Sequence, residues 1–313
     1  MIHSFRQAFN ILFFVVLFCG MGKGLNAQNS EIDSISIQSR ITFSDPSYIT
    51  LRGGIGNIEN LVYQANLAPD LTLRFKKYPN LALELTPHIL LRMIDQYSHP
   101  VRTPSFMPKA TVYYRLKGNL PEKETIPFLT FGHHSNGQEG GFYYPDSLEV
   151  NGDSIINKVN GSFSLNSLTG GVMLLGDNNK IFNPMVNAKF SFQYYLIRQL
   201  TLKNIYGKYR FSATLESDIA VSKEKPDFVS QQMSRSKITS SLQAGWIAGE
   251  MLNAKALDLD RLIVSWTLSY QPARFSDFAL FARYYYGQDY YNINFDRTLS
   301  LLQFGLSIKK IGN

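Results

Sequence analysis

The amino-acid sequence predicts an all-β fold: a transmembrane antiparallel β-barrel of about twelve strands behind an N-terminal signal peptide. Three observations predict it. Apolar and polar residues alternate along most of the chain. The alternating segments run to about 9–12 residues, the length a tilted strand needs to cross a bilayer. A short apolar run behind a basic residue opens the chain, as in exported proteins. Composition agrees. Of 313 residues, 44% are hydrophobic, 13% aromatic and 18% charged, which is too apolar for a disordered chain. The longest apolar run, Ile11–Cys19, is too short for a membrane helix.

Taken in order, the first element is the leader. Arg6 precedes Ile11–Cys19, and Leu25-Asn26-Ala27 offers a cleavage site before Gln28. Residues 1–27 are therefore expected to be removed, leaving a single barrel domain, 28–313. Cleavage takes away Arg6, Lys23 and no acid, so the formal charge falls from +7 to +5. It also removes Cys19, the single cysteine, which excludes disulfides and thiol chemistry from the mature chain.

Strands are expected near 48–58, 66–76, 81–93, 108–117, 126–135 and 162–175, then near 185–198, 206–217, 237–249, 261–271, 277–287 and 298–309. The alternation is plain in Ala188, Phe190, Phe192, Tyr194 and Leu196, interleaved with Asn187, Lys189, Ser191 and Gln193. It recurs in Val264, Trp266, Leu268 and Tyr270, and in Leu302, Phe304, Leu306 and Ile308. Successive strand residues face opposite ways, so each segment has one apolar and one polar face. A soluble sandwich would alternate too. Strand length, the export signal and aromatics near segment ends (Tyr194-Tyr195, Tyr284-Tyr285-Tyr286, Tyr290-Tyr291) favour the barrel, where a girdle would hold them. An even strand number puts both termini on the periplasmic side and gaps such as 136–161 and 288–297 outside. Residues 218–236 fit poorly, because a long polar stretch falls where a short turn is expected.

Chemistry concentrates in Phe131-Gly132-His133-His134-Ser135-Asn136-Gly137. Strand residues two apart share a face, so His133 and Ser135 project together from the stripe of Leu129 and Phe131, which should meet lipid. Unpaired polar groups there are costly to desolvate. One reading is a nucleophile and its base: a serine hydroxyl reacts once a histidine takes its proton, and a third group fixes the imidazole. Asn166 can be that group, since it falls on the outer face of the next strand with Leu168 and Leu174. The other reading is a polar strand end at the membrane interface, and His-x-Ser alone does not separate the two. His134 should point into the lumen.

With these residues in view, the sequence resembles the outer-membrane phospholipase A family. His133, Ser135, Asn136 and Gly137 match its H-x-S-N-G motif, and Ser162, Ser164 and Asn166 match the S-x-S-x-N of its next strand. Ser98-His99-Pro100-Val101-Arg102 is similar to an outer-loop segment of the family. Tyr286-Gly287 with Tyr291-Asn292-Ile293-Asn294-Phe295-Asp296-Arg297 is similar to the stretch before its last strand. The resemblance implies calcium-dependent hydrolysis of phospholipid acyl esters in the Gram-negative outer membrane. Ser135 would be the nucleophile, His133 the base, Asn166 its orienting partner and the Gly137 amide the oxyanion donor. It further implies Ca2+ held by the Gln138 carbonyl, the Ser162 side chain and, across a homodimer, Ser98 of a second copy. The loop from Gly137 to Gly161 is longer than the family's. Lipid A deacylation and a non-catalytic channel are the rival functions. A zinc site through His133 and His134 is disfavoured, because adjacent strand residues point apart.

Overall fold

The computed structural model describes residue 43 and residues 45–308, apart from 58, 117–122, 145–154, 177–184, 197–201, 203–204, 223–224, 227–232, 252–253 and 276. The expected signal peptide and the last five residues lie outside the described residues. Twelve antiparallel strands close into a barrel. They are β1 (Ser47–Leu51), β2 (Leu61–Leu67, resuming as Leu71–Phe75), β3 (Tyr78–Thr86, resuming as Ile89–Ile94) and β4 (Ser105–Phe106, resuming as Lys109–Tyr114). Next come β5 (Lys123–Ser135), β6 (Ser164–Gly176), β7 (Met185–Leu196) and β8 (Tyr209–Ala220). The circuit ends with β9 (Lys237–Ala248), β10 (Leu262–Gln271), β11 (Phe278–Gln288) and β12 (Thr298–Ile308). Closure is made by β1 on β12, with Ser47 opposite Ile308 and Thr50 opposite Gly305.

The wall is inverted relative to a soluble protein. Phe190, Phe192, Phe211, Trp266, Phe304 and Leu306 are exposed on its outside, while Gln64, Glu84, Arg92, Asn187, Arg210 and Gln303 are buried within. A sandwich would hide the first set and expose the second, so the inversion decides for a transmembrane barrel. Inside, buried charge is paired: Arg92 meets Asp289, and Arg210 donates to Tyr195 Oη and Gln288 Oε1 at 2.6 Å each; the half-buried Lys109 meets Asp45. An apolar cluster including Phe142, Phe163, Tyr206 and Phe295 fills the rim that carries the β5–β6 loop. A second, including Tyr113, Ile126 and Met173, lies toward the opposite rim.

The structure revises four sequence readings. Strands expected to be continuous over 66–76 and 81–93 are interrupted at 68–70 and 87–88, and the strand expected from 108 is preceded, across a break at 107–108, by the short piece Ser105–Phe106. Pro69, Pro87 and Pro108 explain it, because proline has no N–H to give the ladder. The first strand ends at Leu51 rather than near 58, and Ile55 makes only an isolated bridge to Leu302. Residues 218–220 prolong β8, and beyond them Lys225–Pro226 pairs with Met233–Ser234. The tyrosines expected in one girdle also divide. Tyr284 faces out, but Tyr195 and Tyr291 are buried, and the Tyr285 hydroxyl donates to the Gln288 carbonyl.

Candidate active site

The β5–β6 hairpin carries the site. Its ladder runs without interruption from Lys123 opposite Gly176 to Ser135 opposite Ser164, which sets His133 directly across from Asn166. Alternation is strict along both strands, so Leu129 (51% exposed) and Phe131 (41%) share the outer face with His133 and Ser135, and Leu168 shares it with Asn166. His133 Nδ1 lies 2.8 Å from Asn166 Oδ1. An amide oxygen only accepts, so Nδ1 carries the hydrogen, and in a neutral imidazole Nε2 is then the nitrogen with the lone pair. Ser135, two residues on, stands on the same face at the rim end of the strand. Of the sequence-predicted trio, His133 and Asn166 are thus in direct contact, and Ser135 shares their outer face two residues along the strand.

His134 points the other way, as alternation requires. It is buried, its Nδ1 lies 2.9 Å from Tyr206 Oη, and its ring meets Phe163 edge-on. Two adjacent histidines therefore sit in opposite media, one in the outer wall and one in the lumen.

Beyond Ser135 the chain turns. Gly137 has φ +64°, a backbone that favours glycine, and it is exposed beside the Phe106 ring. Asn136 is 0% exposed and holds the turn from beneath. Its Nδ2 lies within 3.0 Å of Asn292 Oδ1, the Gly161 carbonyl and Gln138 Oε1, and its Oδ1 accepts from the Phe163 amide at 3.2 Å. Sequence reasoning gave neither Asn136 nor Asn292 a role of its own. The available signal was their shared polarity among aromatics, because an asparagine that must be buried needs partners.

Calcium's expected donors are distributed unevenly. Gln138 and Ser162 lie on two segments joined side by side: Gly140 and Gly161 form a bridge, and the Ser162 amide donates to the Gly140 carbonyl at 2.9 Å. Ser98 is apart from them, exposed on the loop after β3 in a left-handed turn (φ +69°). Glu139, exposed between Gln138 and Gly140, adds a nearby carboxylate. Hydroxyl, carbonyl and carboxylate oxygens are hard donors that fit Ca2+, and so few charges suit weak binding. Among the described residues there is no cluster of three or more His, Cys, Asp or Glu that could hold a metal ion.

Beneath the rim, burial pushes the Tyr290 hydroxyl up to about 12 although Arg210 pulls it down, and burial likewise raises Tyr291 against Arg92. Both remain neutral phenols near neutral pH. Compared with known proteins, the chain matches no family model, no curated protein and no solved structure.

Proposed function

We propose that this barrel is an outer-membrane hydrolase of lipid acyl esters, of the kind the resemblance to outer-membrane phospholipase A implies. The observation that carries the reading is the 2.8 Å contact between His133 Nδ1 and Asn166 Oδ1 on the lipid-facing wall, with Ser135 on the same face. A histidine made only to finish a strand at an interface needs no tautomer. A general base does.

In this mechanism Asn166 Oδ1 accepts a hydrogen bond from His133 Nδ1–H, which leaves Nε2 as the basic nitrogen. His133 Nε2 takes the Ser135 hydroxyl proton as Oγ bonds to the ester carbonyl carbon. The carbonyl oxygen becomes an oxyanion, to which the Gly137 N–H donates. Collapse breaks the acyl–oxygen bond, and His133 returns the proton to the departing lipid alcohol. Water then attacks the acyl-enzyme with His133 again as base, releasing a fatty acid and restoring Ser135. Calcium held by the Gln138 carbonyl and Ser162, with Ser98 from a second copy, would supply positive charge near the oxyanion. Placement on the outer wall suits a substrate already dissolved in the bilayer, since its ester can reach Ser135 by lateral diffusion. The loops after β5 and β11 would face outside the cell.

The test is fatty-acid release from phospholipid micelles by refolded protein, with calcium or chelator, wild type beside Ser135→Ala. Calcium-dependent release that the substitution abolishes is the expected result. Release from lipid A but not from phospholipid would move the substrate class. No release from either by folded wild type would end the hydrolase reading. Crosslinked dimers should outpace dilute monomers, and equal rates would remove Ser98 from the site.

A further inference from the structure

The rim loop after β11 enters the barrel mouth and is anchored there more heavily than its length requires. Arg92 clasps the Asp289 carboxylate with two hydrogen bonds, of 2.8 and 2.9 Å, and its guanidinium lies over the Tyr291 ring at 4.5 Å. Gln64 Oε1 accepts from Arg92 Nε at 2.9 Å, so the arginine is itself held. Asp289 Oδ1 also accepts the Tyr291 amide, which starts the turn that presents Asn292. Asn292 sits at φ +52°, and its amide donates to Ser105 Oγ at 2.6 Å. Its side-chain oxygen then accepts from Asn136 Nδ2 at 2.7 Å. Arg92, Asp289, Asn292 and Asn136 are each at least nine-tenths buried.

The chain of contacts thus runs from the lumenal face of β3 to the residue between Ser135 and Gly137. Asn136 has one carboxamide and two jobs. Its oxygen receives the Phe163 amide and, at 3.4 Å, the Gln138 amide, while its nitrogen is drawn toward Asn292. Rotating that amide would reverse every one of these bonds. Neither the Asn292 oxygen nor the Gly161 carbonyl, 2.8 Å from Nδ2, has a hydrogen to give, so both admit only the orientation in which Asn136 presents Nδ2. With the amide so fixed, the backbone after Ser135 keeps the left-handed turn at Gly137.

We propose that Asn292 is a positioning residue for the reaction. Together with the Gly161 carbonyl and the Phe163 amide it fixes the Asn136 amide and so aims the Gly137 N–H at the oxyanion, and the Arg92–Asp289 pair holds Asn292 in place. The inference rests on the reading of Ser135 as nucleophile. Asn292 touches no reacting atom; it acts through Asn136. A small misplacement of an oxyanion donor is expensive, since an error of about 1 Å can cost on the order of 100-fold in rate.

The experiment measures kcat and KM on a micellar palmitoyl ester with the refolded full chain, checks folding by heat-modifiable gel mobility, and follows labelling of Ser135 by a fluorophosphonate. Asn292→Ala should lower kcat roughly 10- to 100-fold with KM within about 2-fold, and slow Ser135 labelling in step. Asn292→Asp keeps the acceptor and tolerates the left-handed backbone, so it should retain kcat within about 3-fold. A role confined to stability would lower unfolding resistance while leaving the kcat of folded protein unchanged, and that result overturns the proposal. So does equal loss in Asn292→Asp and Asn292→Ala. Should Asn292→Ala not fold, Asn136→Asp tests the same contact from the other side, because it sets two acceptors against each other. A folded Asn136→Asp with wild-type kcat is equally fatal. Wild type that neither hydrolyses ester nor labels at Ser135 would remove the hydrolase reading and this inference together. Wild type that is active through Ser135, with unaffected Asn292 variants, would remove the positioning role alone.

Discussion

The two faces of the β5–β6 hairpin use the same residue types to opposite ends. On the outer face His133 bonds Asn166, with Ser135 beside it and exposed Leu129, Phe131 and Leu168 below. On the inner face His134 bonds Tyr206 and packs on Phe163, inside an apolar cluster. The outer histidine is left half-buried with one nitrogen free to work. The inner one is enclosed by aromatics, and its neighbours are packing partners. Side-chain alternation alone separates the two environments, so one strand supplies both an outward polar pair and part of the packing inside the barrel.

The comparison can be broken most severely at the histidines. His133→Ala should lower ester turnover by a factor on the order of 10⁵, as loss of a general base does. His134→Ala should leave turnover of folded protein within a few-fold and cost about 1–3 kcal/mol of stability by removing the contact to the Tyr206 hydroxyl and the ring packed on Phe163. Equal losses of turnover would erase the distinction between the faces. Leu129→Arg puts a charge halfway along the outer face of β5 and should cost about 2–4 kcal/mol in bilayer-reconstituted unfolding. A neutral result would mean that this face does not meet hydrocarbon. Asn166→Ala should reduce kcat by roughly 10- to 100-fold, less than loss of Ser135, because Asn166 orients and does not react. The smallest effect sharpens the rim beneath the site. Folding raises the Tyr290 pKa from 10.0 to about 12, so its stabilising contribution is complete below pH 10 and lost as pH climbs toward 12. A fraction of the phenolate absorbance should therefore appear only in that interval, and its absence would mean an open rim.

Much of this was legible in the sequence because a barrel wall is a local code. Period-two alternation fixes which way each side chain faces, so the outward trio of His133, Ser135 and Asn166 and the inward turn of His134 could be read before any coordinates. Register across one hairpin then brought Asn166 to His133. Connections between distant segments were not legible. Nothing near Asn136 announces Asn292, which is 156 positions away, and nothing near Arg92 announces Asp289. These are closures across the lumen, set by the circumference of the barrel and not by neighbouring residues. Proline was visible at 69, 87 and 108, but its consequence depends on strand pairing. The three breaks fall next to one another only after β2, β3 and β4 are aligned.

That alignment gives β5, the strand of His133 and Ser135, two unequal neighbours. On one side β6 is joined to β5 by an unbroken ladder along its whole length. On the other, β4 pairs with β5 from Tyr113 to Lys109, breaks at Met107-Pro108, and rejoins only at Phe106 opposite Ser135, with the His133 amide donating to the Pro108 carbonyl at 3.0 Å. In elastic terms β5 and β6 form a beam, and the proline seam is its compliant edge. On that geometry, load from the surrounding bilayer is expected to be taken up at the seam, with the His133–Asn166 contact on the unbroken side.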